Sequence, residues 1–216
     1  MNDEADVAVH SLKDLPTATD SRLIVAAVPR RGDIRDSLVS QPRWSIDELP
    51  PEAVVGTGSC RRVAQLLSRR PDVRVMPIRG NVQTRLAKWS NGDYDAIVLA
   101  EAGLDRLAMD QVPRRCVDPT EMLPAPGQGA LAIEVRQEDA SVASVVTELN
   151  DFQTRCCVVA ERTFLAHLDG GCLAPIAASA RFEAGTLRLI GLVSSTDGAT
   201  RLDDDRSARC ETLADA

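Results

Sequence analysis

Aromatic residues make up only 3% of this 216-residue chain: three phenylalanines, two tryptophans and one tyrosine. That scarcity argues against a surface that stacks single-stranded nucleic acid bases. Basic residues are outnumbered, with 25 Lys and Arg against 32 Asp and Glu. The net charge of −7 gives no overall field for polyphosphate. There are only two histidines, and the six cysteines at 60, 116, 156, 157, 172 and 210 include no Cys-x-x-Cys pair. Neither a zinc site nor a disulfide framework is expected. No apolar run approaches the length of a membrane span. The opening Met1-Asn2-Asp3-Glu4-Ala5-Asp6 has no basic or apolar leader character. The expected setting is the cytosol, with no membrane and no nucleic acid partner.

What is present is enough for ordinary cores: 44% hydrophobic residues beside 26% charged ones. Asp6 to His10 and Leu23 to Val28 read as short buried strands. Between them lies a polar loop, Ser11-Leu12-Lys13-Asp14-Leu15-Pro16. Pro29-Arg30-Arg31-Gly32-Asp33 marks a hinge. Strands are then expected at 53–55, 73–77 and 94–99, with helices at 60–69, 81–90 and 102–107. This alternation predicts βαβ units and a parallel sheet. Ser59 is placed to cap the first of these helices, on which Val63, Leu66 and Leu67 share a face; Asn81 opens the second. A loop at 124–129 leads to a returning strand at 130–135. Helices follow at 140–149 and 156–167. Strands at 177–182, 186–194 and 200–208, joined by Glu-Ala-Gly and Thr-Asp-Gly turns, form a separate small α+β unit. The chain stops at Ala216 where a further helix is due.

Three places carry candidate chemistry. Asp14 follows a strand end, where α/β proteins place ligands. It could hold a cation, or donate or accept a proton. Lys13 could bind a carboxylate. Taken alone, a solvated turn is the simpler reading. Arginines form the second set. Gly56-Thr57-Gly58-Ser59 leads into Arg61 and Arg62 at one helix start; Arg79-Gly80-Asn81 and Arg85 repeat the pattern at the next, and Arg106 lies in the third unit. Helix starts favour anions, and several guanidinium groups on one cleft suit a ligand with many carboxylates. Any one of them taken singly reads as a surface arginine. The glycine turn is neither a dinucleotide fingerprint nor a P-loop. The third place is Asp169-Gly170-Gly171-Cys172-Leu173-Ala174-Pro175, where a thiol in a tight loop could be a nucleophile or an attachment point, or simply an idle cysteine. Cys156 and Cys157 read as core.

Seven segments in order resemble the porphobilinogen deaminase (hydroxymethylbilane synthase) family. They are Val9 to Pro16, Arg31 to Asp36, Val55 to Arg62, Arg79 to Arg85, Tyr94 to Leu104, Pro124 to Ala130 and Glu161 to Pro175. The resemblance implies an α/β fold of two type II periplasmic-binding-protein-like domains with mixed sheets, plus a small α+β C-terminal domain. Residues 1–30 with 129–150 would be a partial first domain, 31–128 the second, and 151–216 a partial third. It implies a transferase that joins four porphobilinogen molecules, with loss of ammonia, into hydroxymethylbilane for heme biosynthesis. A dipyrromethane cofactor would hang by a thioether from Cys172. Asp14 would be catalytic. Lys13, Asp14, Ser59, Arg61, Arg62 and Arg85 would contact the cofactor; Arg79, Arg85 and Arg106 would bind the acetate and propionate groups of the substrate. A monomer is implied, and no metal. The family's N-terminal Arg-x-Ser-x-Leu-Ala segment has no counterpart here, which would leave the first strand's edge open. Gly58 stands where many relatives have serine. Two other readings are an inactive polycarboxylate-binding remnant and an unrelated periplasmic-type binding module.

Overall fold

The computed structural model describes residues 5–18, 20–168 and 174–216. Cys172 lies outside them. Three sheets organise the described residues. The first is antiparallel, in the order β1 (Val7–Ser11), β8 (Leu131–Arg136), β2 (Leu23–Ala27). The expected returning strand is therefore its centre. β1 is an edge strand among the described residues, with Val9 61% exposed.

The middle sheet runs β5 (Arg74–Met76), β4 (Val54–Gly56), β6 (Ala96–Ala100), β3 (Asp36–Ser40), β7 (Arg114–Cys116). The expectation of parallel βαβ pairing holds for β5, β4 and β6. β3 and β7 pair antiparallel, so the sheet is mixed. Both were missing from the sequence reading. Asp-Ser-Leu-Val-Ser has only two apolar residues in a row, yet all five are buried. Alternation across this sheet is clean. Leu38, Val55, Ala96 and Val98 face one core with Leu66, while Val39, Ile97 and Leu99 face the other with Leu104. The helices are α1 (Cys60–Arg69), α2 (Val82–Ser90) and α3 (Glu101–Arg106).

The third sheet is a meander of β9 (Ile176–Glu183), β10 (Thr186–Ser194) and β11 (Arg201–Arg209). Ala184 and Gly185 both take positive φ, as a two-residue hairpin turn demands. One face packs on α5 (Phe152–His167), burying Cys156, Cys157 and Ala180. The helix begins four residues before the expected start, because Asp151 caps it by accepting from Thr154 N at 2.8 Å. α4 (Ala140–Thr147) covers the first sheet.

Two crossing segments join the first and middle sheets and run side by side. Gly32 N donates to Gly129 O at 3.1 Å. Gly129 has φ +84°, and a Cβ there would lie 2.7 Å from Asp33 O, so only glycine fits. Arg31 ties this crossing to the third unit. Its Nη1 and Nη2 each donate to Glu161 on α5 at 2.8 Å, and its Nε donates to Gln128 O at 2.7 Å.

A cationic cavity where three units meet

A cavity of about 270 Å³ opens where these elements converge. The Leu12–Asp14 turn after β1 supplies Lys13 and Asp14. The start of α1 supplies Ser59, Arg61 and Arg62, and α2 supplies Arg85. Pro126 and Gln128 come from the crossing segment, Leu165 from α5, and Ala174 from the lead into β9. The expected polar loop is in fact a 3-10 turn. Leu12 is buried, and its N–H donates to Ala130 O at 3.0 Å, which fixes the backbone beneath Lys13 and Asp14. Both side chains line the cleft, Lys13 half-buried and Asp14 exposed.

Arg61 and Arg62 are not surface arginines. They are 4% and 5% exposed, and they flank the fully buried Asp36. Arg61 Nη1 lies 2.8 Å from Asp36 Oδ2, and Arg62 Nη2 lies 2.7 Å from Asp36 Oδ1. Arg62 also donates to Val98 O at 2.8 Å and Arg61 to Leu123 O at 2.7 Å. Gln128 Nε2 completes the cluster, donating to Asp36 Oδ1 at 2.9 Å and Ile34 O at 2.8 Å. Burial alone would raise the Asp36 pKa. The two guanidinium groups outweigh it and hold the carboxyl well below the usual carboxylate range. Asp36 was not singled out in the sequence. Five residues of α1 are buried, the polar Arg61, Arg62 and Gln65 beside Ala64 and Leu66; Val63 and Leu67 are half-buried, and Leu67 packs on the same core as Leu66.

Among the described residues, four cationic side chains therefore line the cavity with one carboxylate, Asp14. Burial, reinforced by Arg62, pushes the Lys13 pKa down to about 8, and Asp14 partly offsets this. Arg85 is likewise lowered, by burial first and then by Arg62. The Arg85 guanidinium also donates to Gly80 O at 2.8 Å, which closes the turn before α2. Among the described residues, three buried polar atoms of this cluster have no hydrogen-bond partner: Arg61 Nε, Asp36 Oδ2 and Gln128 Oε1.

Of the other expected residues, Ser59 lines the cavity, and Arg79 and Arg106 lie outside its lining. Ser59 occupies the α1 cap position, but its side chain makes no capping bond. Its backbone N–H is instead taken by Thr57 Oγ1 at 3.2 Å, and the residue lines the cavity. Arg79 is exposed on the turn before α2, outside the cavity lining. Arg106 donates to Gly129 O at 2.7 Å and braces the crossing segments. Cys172 lies outside the described residues; Ala174, two residues further along the chain, lines the cavity. Among the described residues no cluster of three or more His, Cys, Asp or Glu could hold a metal ion. No helix there is long and apolar enough to cross a membrane.

Fold and site together have the form of a small-molecule site: an α/β scaffold whose cleft, among the described residues, is lined by cations and one exposed carboxylate. Comparison with known proteins carries this further. Residues 1–144 match the family model "Porphobilinogen deaminase, dipyromethane cofactor binding domain", and residues 155–214 match "Porphobilinogen deaminase, C-terminal domain". The porphobilinogen deaminase of Chlorobaculum tepidum is 43% identical over 213 residues, covering 99% of this chain and 68% of that protein. That of Xylella fastidiosa is 52% identical over 190 residues, covering 88% and 62%. That of Thermus thermophilus is 52% identical over 196 residues, covering 90% and 65%. The chain belongs to the porphobilinogen deaminase family, and it spans about two thirds of the length of these relatives. Among solved structures, the periplasmic aliphatic sulphonate binding protein SsuA from Escherichia coli aligns over 77% of this chain and 55% of its own. Its sequence identity is 15% and its TM-score 0.43.

Proposed function

We propose that this chain carries the catalytic cleft of a hydroxymethylbilane synthase. Four porphobilinogen molecules would be joined head to tail, each losing ammonia from its aminomethyl group, to give the linear tetrapyrrole of heme biosynthesis. The observation that carries the reading is the cavity itself: among the described residues it is lined by Lys13, Arg61, Arg62 and Arg85 together with one carboxylate, Asp14. A pyrrole bearing an acetate and a propionate matches that donor set.

The same donors fit a dipyrromethane, which carries several carboxylates. Lys13, Ser59, Arg61, Arg62 and Arg85 would hold it, with attachment through the thioether of Cys172. When bound, it supplies the pyrrole carbon to which the first substrate is joined. Asp14 does the chemistry this chain contributes. Departure of ammonia leaves a substrate carbon and ring nitrogen with positive charge, and a carboxylate held a short reach away lowers the barrier to that charge. It can also take the proton that the new carbon–carbon bond displaces. Lys13 and Arg85 line the same cavity as Asp14 and place cationic groups beside the charge it would stabilise. Roles for Arg79 and Arg106 in binding substrate rest on the resemblance alone.

We take residues 1–30 with 129–150, 31–128 and 151–216 as three domains, in a cytoplasmic monomer that acts on a small molecule. The test is Asp14→Ala. Porphobilinogen consumption should fall at least about 100-fold while the far-UV spectrum and melting temperature hold. Turnover within a few-fold of the unmodified protein would remove Asp14 from the mechanism. Binding of porphobilinogen with no turnover in the unmodified protein would identify a polycarboxylate binder.

A further inference from the structure

We infer that Asp36 is a positioning residue that competes with ligand carboxylates for Arg61 and Arg62 and thereby sets how tightly the cavity holds them. This rests on reading the cavity as a carboxylate site. Asp36 is fully buried, and each of its carboxylate oxygens engages a different arginine, at 2.7 and 2.8 Å. Its position is fixed from a third side by the Gln128 amide, whose two N–H groups are both spent, on Asp36 and on Ile34 O. Both arginines are also anchored through backbone carbonyls, of Leu123 and Val98, so neither can swing away from the carboxylate.

The consequence concerns charge. Two guanidinium groups side by side would present two positive charges to a ligand carboxylate. With Asp36 between them they present one. The Asp36 Oδ2 contact with Arg61 lies outside hydrogen-bond geometry despite its 2.8 Å separation, and Arg61 Nε has no partner among the described residues. Arg61 is therefore the less satisfied of the pair and the one with donors to give. A cleft that must bind a chain of carboxylated rings and then let it go gains from this. An internal carboxylate lowers affinity while keeping the donors aimed. A purely structural Asp36 would act in the opposite sense, since removing it would misplace both arginines and weaken binding.

Asp36→Asn tests this by titration calorimetry against porphobilinogen and against glutarate, a dicarboxylate with no pyrrole ring. Removing one unit charge a few ångströms from the site should tighten both ligands at least about tenfold, with a steeper loss of affinity as salt is added. The melting temperature should fall. Unchanged or weaker binding of glutarate by the folded variant would overturn the inference. If the variant does not fold alone, added glutarate should restore its fold by taking the vacant place between the arginines; failure of glutarate to do so would equally overturn it. An unmodified protein that binds glutarate but not porphobilinogen would sink the proposed function and leave this inference standing.

Discussion

Glu161 should be the most damaging single carboxylate to remove. It is fully buried on α5, and four donors converge on it. Arg31 Nη1 and Nη2 do so at 2.8 Å, and the backbone N–H groups of Gly127 and Ala180 at 2.7 Å. Those partners lie on three different parts of the molecule: the hinge, the cavity-lining segment and β9. Glu161→Ala would strand the Arg31 guanidinium, itself only 9% exposed. Breaking a buried pair in this way costs roughly 3–5 kcal/mol. Two buried N–H groups left without acceptors cost about 1–3 kcal/mol each, not fully additively. A loss of at least about 4 kcal/mol is expected, a large share of the roughly 5–15 kcal/mol that holds such a domain together. Urea unfolding followed by circular dichroism measures it. A double replacement, Arg31→Met with Glu161→Leu, should be less harmful than Glu161→Leu alone, because no charge is then left buried. A Glu161→Ala variant within about 1 kcal/mol of the unmodified protein would refute the account of how the three units are held.

Two further predictions concern other residues. The Lys13 pKa is lowered to about 8, so its charge is lost as pH rises through that value. Carboxylate affinity should weaken between about pH 7 and 9, and Lys13→Met should flatten that dependence in a calorimetric titration. The linkage to stability has the opposite sign. Above about pH 8 the unfolded chain binds the proton that folded Lys13 has released, so its contribution to folding rises with pH until the unfolded lysine titrates too. Gly198 has φ +73°, and a Cβ there would lie 2.7 Å from Ser68 N and closer still to Ala64 O. Gly198→Ala should therefore disturb the docking of the β10–β11 turn on α1 and lower the melting temperature by several degrees, as a loss of about 1–2 kcal/mol does. An unchanged melting temperature would count against that contact.

Much of this architecture is written locally. The Asn81 cap was legible because its partner, Thr84 N at 2.8 Å, is three residues away. The β9–β10 turn was legible because Ala184-Gly185 must bend there. Asp14 and the arginines stood out because residue type and strand-end position together point to a site. What stayed hidden depends on distant partners. Asp36 opens a strand of mixed polarity, and only Arg61 and Arg62, on a helix in another part of the unit, explain its burial. Glu161 reads as an ordinary helical glutamate until Arg31, 130 residues earlier, is brought against it. Antiparallel β3 and β7 were missed because pairing partners on a sheet follow from tertiary packing and not from the strand's own pattern.

The most direct test of the whole account is an intact mass spectrum of the protein carrying this chain, purified from its cell, with peptide mapping of any adduct. The account predicts a mass raised by one dipyrromethane, localised to Cys172. An unmodified Cys172, or an adduct carried by any other residue, would contradict it.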